Sequence, residues 1–489
     1  MICIPITATT EKEALKGMEE AAKEADIIEL RIDCMKKPRL EKLLKARKKP
    51  AIVTCRKKEE GGLFEVNERR RMALLKEAIS LGAEYVDIEL SSGKEAINGL
   101  IQNKGSCRVI VSHHNLKETP SGKELGRIYD EIKKTCCDII KIATLANDIT
   151  DNIKLFDIAK KAGKEGRKTI ALCMGEKGEI SRILYKVFGN YLTYASLADG
   201  KESAPGQLTS GMMKDVFRAD KLNRSTKICG VIGKPARYSR GIYIFNPAFE
   251  KQKLNAAYLR LEVDDVGRFI REFRKLNIGG FAVTTPHKEE IMKHLDEVDE
   301  TAKKIGAVNT IVAKNGKLKG YNTDCTGAKK ALEEKTQLKG RKVVVLGAGG
   351  AAKAVAFMLA REGCKLTVLN RTVEKARALA KKLKCGYGAP EDIKHTDYDV
   401  LINCTTAGML PNDKETPVDK KYLKNIVMDI VYKPPVTRLL KEAKDAGCTT
   451  IDGLTMLLHQ ATGQFELWTG RKAPIELMRR TLWKSLSSR

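Results

Sequence analysis

KVVVLGAGGAAKAVAFMLA, residues 342–360, decides the fold of half of this chain. VVVL is a short β-branched run, GAGG breaks it, and the alanine-rich continuation favours a helix. The stretch therefore reads as a buried strand turning through glycines into a helix. Such a turn delivers backbone N–H groups and a helix N-terminus to an anion. Gly347 permits the tight turn, Gly349 lets the backbone approach a pyrophosphate, and Ala352 takes the third position, where helix–strand packing needs a small residue. A glycine string alone is equally a structural turn. The strand before it and the helix after it make it a dinucleotide fingerprint.

The following strand selects the dinucleotide. KLTVL (365–369) runs into NRTVEKAR (370–377) with no acid at its tip to bind a ribose 2′-hydroxyl. Arg371, Thr372 and Lys375 suit a 2′-phosphate, which points to NADP. Without a bound anion, a basic helix start is unfavourable against the helix dipole.

Upstream lie AVTTPHKEEI (282–291), IGAVNTIV (305–312) and GYNTDCTG (320–327). A lysine after a proline turn, Lys288, and an aspartate after a strand, Asp324, are suited to meet across a cleft. Such a pair passes a proton to an alkoxide, or takes one from an alcohol, while hydride moves. The alternative is a surface salt bridge.

Further out, the polar stretch FRADKLNRSTK (217–227) marks a domain boundary. Before it, strand-like runs fall near 2–7, 26–32, 50–56, 85–90, 108–114, 139–144, 168–174 and 192–197, with amphipathic stretches such as DITDNIKLFDIAKKAG (148–163) between them. Eight β/α units in so short a span are the rhythm of a closed parallel barrel. A flavodoxin-like open sheet is the runner-up, but it stops at about five or six strands.

In a barrel, polar residues at the carboxyl ends of strands share one cavity. Here they are Glu29, Arg31, Arg56, Asp87, Glu89, His113, His114 and Lys141. Lys141, set among Ile139, Ile140 and Ile142, must reach water, pair with a strand carboxylate such as Glu89, or give up its charge. A neutral amine inside a barrel forms an imine with a ketone or aldehyde, and an imidazole at the next strand end supplies the base that an iminium needs. Arginines at strand ends suit an anionic substrate; structural ion pairs are the bland reading.

The 489 residues carry 90 Lys+Arg against 62 Asp+Glu, an excess of 28. Aromatics are only 5%, which disfavours a nucleic-acid surface and leaves anionic small molecules as the match for the positive balance. Thirteen cysteines, an odd number without a C-x-x-C pair, indicate small buried residues in a reducing compartment, with no metal site. No apolar run reaches the ~18 residues of a membrane span, and the chain opens directly on the strand-like ICIPIT. A cytoplasmic protein with small-molecule partners is expected, with neither nucleic acid nor membrane.

ELR (29–31), TCRKKEEGG (54–62), VSHHNLKETP (111–120), KIATLA (141–146) and SAPGQL (203–208) resemble type I 3-dehydroquinate dehydratase across residues 1–222. The resemblance implies a Schiff base between Lys141 and 3-dehydroquinate, with His114 as general base and Glu60 orienting it. It also implies Arg31, Arg56 and Arg182 as substrate arginines, and Glu29, Ser203 and Gln207 as further polar contacts.

The motifs of the second half, with INCTTAGM (402–409), MDIVYKPPVT (428–437) and GLTMLLHQATGQFELWTG (453–470), resemble shikimate dehydrogenase over about 226–489. This implies Lys288 and Asp324 as the catalytic pair, and Thr284, Asn309, Tyr432 and Gln460 on the substrate hydroxyls. Gly347, Ala348, Gly349, Gly350, Ala351, Asn370, Arg371, Thr372, Lys375, Ile430 and Gly453 would hold NADP. Two departures from the family stand out. Its S-x-S-P string is YSRGIYIFN (238–246) here, which keeps Ser239 for the substrate carboxylate but places Gly241 and Ile242 where serine and proline are usual. Ala282 also replaces an asparagine. A lost hydroxyl donor removes about 1.5–3 kcal/mol unless Arg237, Arg240 or Tyr243 substitutes.

Taken together, the resemblances imply a (β/α)8 TIM barrel (1–222), an α/β substrate domain (226–325 plus 455–489) and a Rossmann-like NADP domain (326–454). The implied sequence is dehydration of 3-dehydroquinate to 3-dehydroshikimate, then NADPH-dependent reduction to shikimate. The rivals are an imine-forming aldolase, a preference for quinate or NAD, and a basic binding scaffold.

Overall fold

The computed structural model describes residues 1–63 and 67–487. The chain divides into two compact units, Met1–Lys227 with Asn255–Asn277, and Ile228–Leu254 with Ile278–Arg489.

The first unit carries β1 (Ile2–Ile6), β2 (Ile27–Arg31), β3 (Ala51–Thr54), β4 (Tyr85–Glu89), β5 (Arg108–Asn115), β6 (Ile139–Leu145), β7 (Lys168–Met174) and β8 (Thr193–Tyr194). All ladders are parallel, in the order β7-β6-β5-β4-β3-β2-β1-β8. The strands are mostly apolar along both faces because both are covered, and charged residues enter chiefly toward the carboxyl ends of β2 and β4 and within β6. Ile27, Ile52, Ile110, Ile139 and Ile170 fill the interior with Tyr85 and Leu192. The surrounding helices follow from capping and periodicity. Ser121 accepts from the N–H of Glu124 at the start of the helix Gly122–Lys134, whose Leu125, Ile128, Tyr129 and Ile132 form the buried stripe.

The last strand is shorter than the 192–197 run suggests. Ser196 turns away to Leu208 and Ser210, so only Thr193–Tyr194 ladder with β1. The barrel is nearly closed rather than closed. No strand ladder joins β7 to β8; the seam is bridged by the Tyr191 N–H to Thr169 O at 2.8 Å and the Ala171 N–H to Asn190 Oδ1 at 2.6 Å. A five-residue π-turn, Met212–Val216, stands where an eighth helix would be. The segment Asn255–Asn277, with β10 (Ala256–Glu262), groups with this unit.

The second unit holds β9 (Lys227–Gly233), β11 (Ile278–Val283), β12 (Glu297–Val298), β13 (Thr310–Lys314) and β14 (Lys317–Tyr321), hydrogen-bonded in the order β9-β11-β13-β14-β12. The helix Gly453–Thr469 returns onto this sheet, where Trp468 Nε1 donates to Ile311 O at 2.9 Å. Gly280 makes room for that indole, since a Cβ there would sit 2.3 Å from the ring. The other sheet is wholly parallel: β15 (Lys342–Leu346), β16 (Lys365–Leu369), β17 (Gly386–Gly388), β18 (Val400–Asn403), β19 (Ile426–Asp429) and β20 (Thr449–Ile451), in the order β17-β16-β15-β18-β19-β20. Strand alternation sends Val343 and Val345 into one core and Val344 and Leu346 into the opposite one. The order reverses at β15/β18, where such sheets open a crevice for a dinucleotide.

Most of the thirteen cysteines are buried, and no disulfide forms among them. Among the described residues, no helix is long and apolar enough to cross a membrane.

Candidate active sites

The barrel encloses a cavity of about 340 Å³. Glu29, Arg31, Arg56, Glu60, His114, Lys141, Arg182, Ser203 and Gln207, all nine residues expected there, line it together with Tyr194, Leu172 and Met174. Alternation along β2 puts Glu29 and Arg31 on the same inward face.

Lys141 is buried and paired. Its Nζ donates to Asp87 Oδ2 at 2.8 Å, lies 3.7 Å from Glu29 Oε1, and sits 4.6 Å from the centre of the Tyr194 ring. The carboxylate partner is Asp87, not Glu89. Glu89 accepts instead from Arg56 at 2.8 Å and from Arg71 at 2.5 Å. Arg56 also donates to Asp87 Oδ2 at 2.9 Å, and the Ser112 hydroxyl to Asp87 Oδ1 at 2.6 Å. Burial pushes the Asp87 carboxyl up, but Arg56 and Lys141 outweigh it and hold the group well below the usual carboxylate range.

Adjacent residues on β5 face opposite ways, so His114 lines the cavity and His113 does not. Glu60 Oε2 accepts from the His114 backbone N–H at 2.9 Å and lies 3.0 Å from Nδ1, while Ser91 fixes its other oxygen at 2.7 Å. Burial, then Arg56 and Lys141, hold the imidazole well below its ordinary value, so it is neutral. With Nδ1–H donating to Glu60, Nε2 presents a free lone pair.

The three expected arginines are not equivalent. Arg31 is tied to Asp33 at 2.9 and 2.8 Å, and Arg56 to Asp87 and Glu89. Arg182, 1% exposed, has no carboxylate partner among the described residues, and its Nε finds no acceptor among them. Burial lowers its guanidinium to about 10. Ser203 and Gln207 bind each other, Nε2 donating to Oγ at 2.9 Å. Tyr194 was missed in the sequence; Asp87 was visible at a strand end but carried no role.

In the second unit, Lys288 Nζ lies 2.5 Å from Asp324 Oδ2, with the side chains 16% and 5% exposed, so the pair is not a surface salt bridge. Asn309 Nδ2 lies 2.8 Å from Asp324 Oδ1, 3.0 Å from Thr323 Oγ1 and 3.0 Å from Gln460 Oε1. Two N–H groups thus face three acceptors. The Thr284 N–H donates to Ile232 O at 3.0 Å, and a Cβ on Gly233 would meet its methyl at 2.2 Å.

The glycine turn abuts this pair. A Cβ on Gly350 would stand 3.3 Å from the Lys288 side chain. Gly347 has φ +109°, and the space beyond Gly349 is open. The helix Gly350–Arg361 has no side-chain cap, which leaves its first N–H groups for a phosphate. Ala348 and Ala351 follow the same turn. Arg371, Thr372 and Lys375 lie exposed at the end of β16, where Asn370 Nδ2 holds Thr372 O at 2.8 Å. These residues fit a dinucleotide with a 2′-phosphate. Gly453 packs against Ile430, whose carbonyl would lie 2.5 Å from a Cβ there.

Asp429 shapes the loop that carries Ile430 and Tyr432. It accepts from Asn403 Nδ2 at 2.9 Å, the Val431 N–H at 3.0 Å and the Thr437 hydroxyl at 2.6 Å, and burial still raises it to about 6. Burial likewise raises the Tyr432 phenol. Ser239 Oγ accepts from the Gly241 N–H at 3.2 Å. Of the substitutes for the missing hydroxyl, Arg240 turns to Ser485 O at 2.7 Å and Arg237 lies over the Tyr238 ring at 4.9 Å. A larger hollow of about 630 Å³, beside Asn322, Cys325, Arg361 and Glu466, includes neither Lys288 nor Asp324.

Comparison with known proteins matches residues 2–224 to the family of type I 3-dehydroquinase. Residues 231–311 match a shikimate dehydrogenase substrate binding domain, 328–457 shikimate / quinate 5-dehydrogenase, and 453–482 a shikimate 5'-dehydrogenase C-terminal domain. A bifunctional 3-dehydroquinate dehydratase/shikimate dehydrogenase, chloroplastic, of Arabidopsis thaliana is 39% identical over 98% of this chain and 83% of its own. The shikimate dehydrogenase (NADP(+)) of Pyrococcus abyssi is 46% identical over 52% of this chain and 96% of its own. Among solved structures, a shikimate dehydrogenase in complex with NADP+ aligns with a TM-score of 0.52 at 41% identity, over 54% of this chain and 97% of that one.

Proposed function

The chain belongs to the family of bifunctional 3-dehydroquinate dehydratases/shikimate dehydrogenases, and on that premise we propose which side chains carry each reaction. It is a shikimate-pathway enzyme, with a type I 3-dehydroquinate dehydratase in its first half and an NADP-dependent shikimate dehydrogenase in its second.

In the dehydratase, Lys141 condenses with the keto carbon of 3-dehydroquinate, losing one water to form an imine. The iminium acidifies the neighbouring C–H. His114 Nε2 takes that proton and returns it to the β-hydroxyl, which leaves as water. Hydrolysis of the imine frees 3-dehydroshikimate and restores the amine. Arg182 binds the substrate carboxylate, while Arg31, Arg56, Glu29, Ser203 and Gln207 shape the rest of the bed. One observation carries this reading: an amine, a neutral imidazole and a guanidinium without an acid line the same cavity.

In the dehydrogenase, Gly347, Ala348, Gly349, Gly350 and Ala351 cradle the pyrophosphate, and Asn370, Arg371, Thr372 and Lys375 take the 2′-phosphate. Ile430 and Gly453 would complete the bed of the dinucleotide, whose reduced form, NADPH, would supply the hydride when bound. Lys288 Nζ, held by Asp324, gives a proton to the ketone oxygen. Thr284, Asn309, Tyr432 and Gln460 orient the ring hydroxyls, and Ser239 the carboxylate.

The domains run 1–222, 226–325 with 455–489, and 326–454. The enzyme works in the reducing cytoplasm, where its cysteines stay thiols. Its positive excess serves anionic substrates rather than nucleic acid. The test supplies 3-dehydroquinate and NADPH to the pure protein. Loss of nicotinamide absorbance requires both activities in sequence, and its absence refutes the reading.

A further inference from the structure

Two residues that line the dehydratase cavity carry a buried donor with no partner among the described residues: Nε of Arg182 and the hydroxyl of Tyr194. Tyr194 is 4% exposed, so water from bulk does not satisfy it. Buried polar groups are almost always hydrogen-bonded, and an orphan on a cavity wall marks a place where a ligand supplies the missing atom. The carboxylates whose charge bears on the phenol already accept other donors. Glu29 accepts from the Thr54 hydroxyl at 2.8 Å, and Asp87 from Ser112, Arg56 and Lys141. The side chain thus has two ends. Its ring lies 4.6 Å from Lys141 Nζ, where a π face favours an ammonium or an iminium, and its O–H has nothing to bond.

We propose that the Tyr194 hydroxyl binds the substrate directly, donating a hydrogen bond to the same carboxylate that Arg182 holds. The inference rests on the reading of this cavity as the imine-forming dehydratase site. A cationic and a neutral donor suit a carboxylate, which accepts on two oxygens and brings no proton of its own, whereas a ring hydroxyl would. Burial, with Glu29 and Cys3 nearby, keeps the phenol well above its ordinary value, so it stays a donor and does not act as a base.

The test is Tyr194→Phe, which keeps the ring over the amine and removes the donor. Dehydration kinetics are measured beside competitive inhibition by 3-dehydroshikimate and by its methyl ester. The expected result is a KM for 3-dehydroquinate raised about 5–10-fold, and the preference for the acid over the ester reduced by a similar factor. Borohydride with saturating substrate still inactivates the variant. Installing 3-fluorotyrosine at position 194, nearly unchanged in shape with a more acidic O–H, moves the acid-to-ester ratio the opposite way and guards against a folding defect in the phenylalanine variant. An unchanged ratio, or equal weakening of acid and ester, overturns the proposal. Failure of borohydride to inactivate the wild type overturns the imine reading instead, and the ratio still decides the carboxylate contact.

Discussion

Arg56 and Lys141 donate to one and the same oxygen, Oδ2 of Asp87, from 2.9 and 2.8 Å. Asp87, with no access to water, is therefore the acceptor that β3's end and β6 share, while Glu89 is a second partner of Arg56 and Glu29 lies 3.7 Å from the Lys141 amine. Removing the Asp87 carboxylate leaves both buried charges poorly matched. Asp87→Asn is expected to destabilise the first unit by about 3–5 kcal/mol and to lower kcat/KM for dehydration sharply. Thermal melting checks it; an unchanged melting temperature contradicts the role given to Asp87. Because the folded carboxyl titrates below its unfolded value, this stabilisation is full above pH ~4 and is lost only as pH falls further.

Lys141→Ala is expected to abolish dehydration and borohydride trapping while shikimate oxidation by the second half continues. Trapping that persisted in the variant would move the imine to another lysine. Loss of both activities would point to a folding defect, which melting detects.

His114 gives a pH signature. Its imidazole is held well below 6.5 in the fold, so the unfolded chain binds a proton that the native state refuses. The stability it contributes is full above 6.5 and declines as pH falls below it. The same depression keeps the base competent under mildly acidic conditions, so the acid limb of kcat/KM for dehydration belongs well under pH 6.5. A limb centred at or above 6.5 would show that another group is the base.

Arg371→Ala is expected to weaken NADPH about 10–100-fold, the worth of one charge-assisted contact, and to leave NADH nearly unaffected. Titration of nicotinamide fluorescence with each dinucleotide measures this. Equal losses would exclude contact with the 2′-phosphate.

Much of this was legible in the sequence, for reasons that differ by residue. The glycine turn at 347–350 could be read because backbone geometry dictates its composition. Lys141 could be read because a charge among isoleucines demands explanation. Its partner could not. Alternation shows that Asp87 and Glu89 both face inward, but only the register of β4, β5 and β6 brings Asp87 to the amine and leaves Glu89 to Arg56 and Arg71. The three arginines look alike in one dimension; Asp33, two residues along the chain, ties Arg31, and only the fold brings Asp87 and Glu89 from β4 to Arg56. The brevity of β8 was hidden because the 192–197 run, LTYASL, is strand-like throughout, while the backbone of Ser196 bonds to residues 208 and 210.

That short β8 has a mechanical consequence. The other seven strands form one continuous ladder, whereas β8 hangs from β1 on a two-residue register, beside a seam stitched by a few isolated bonds. Thermal breathing of a closed cylinder would tear a row of hydrogen bonds; here fewer bonds hold the wall that carries Tyr194, so its amides are expected to exchange ahead of those in the continuous ladder. The barrel carries its own line of weakness, running down the side that bears Tyr194.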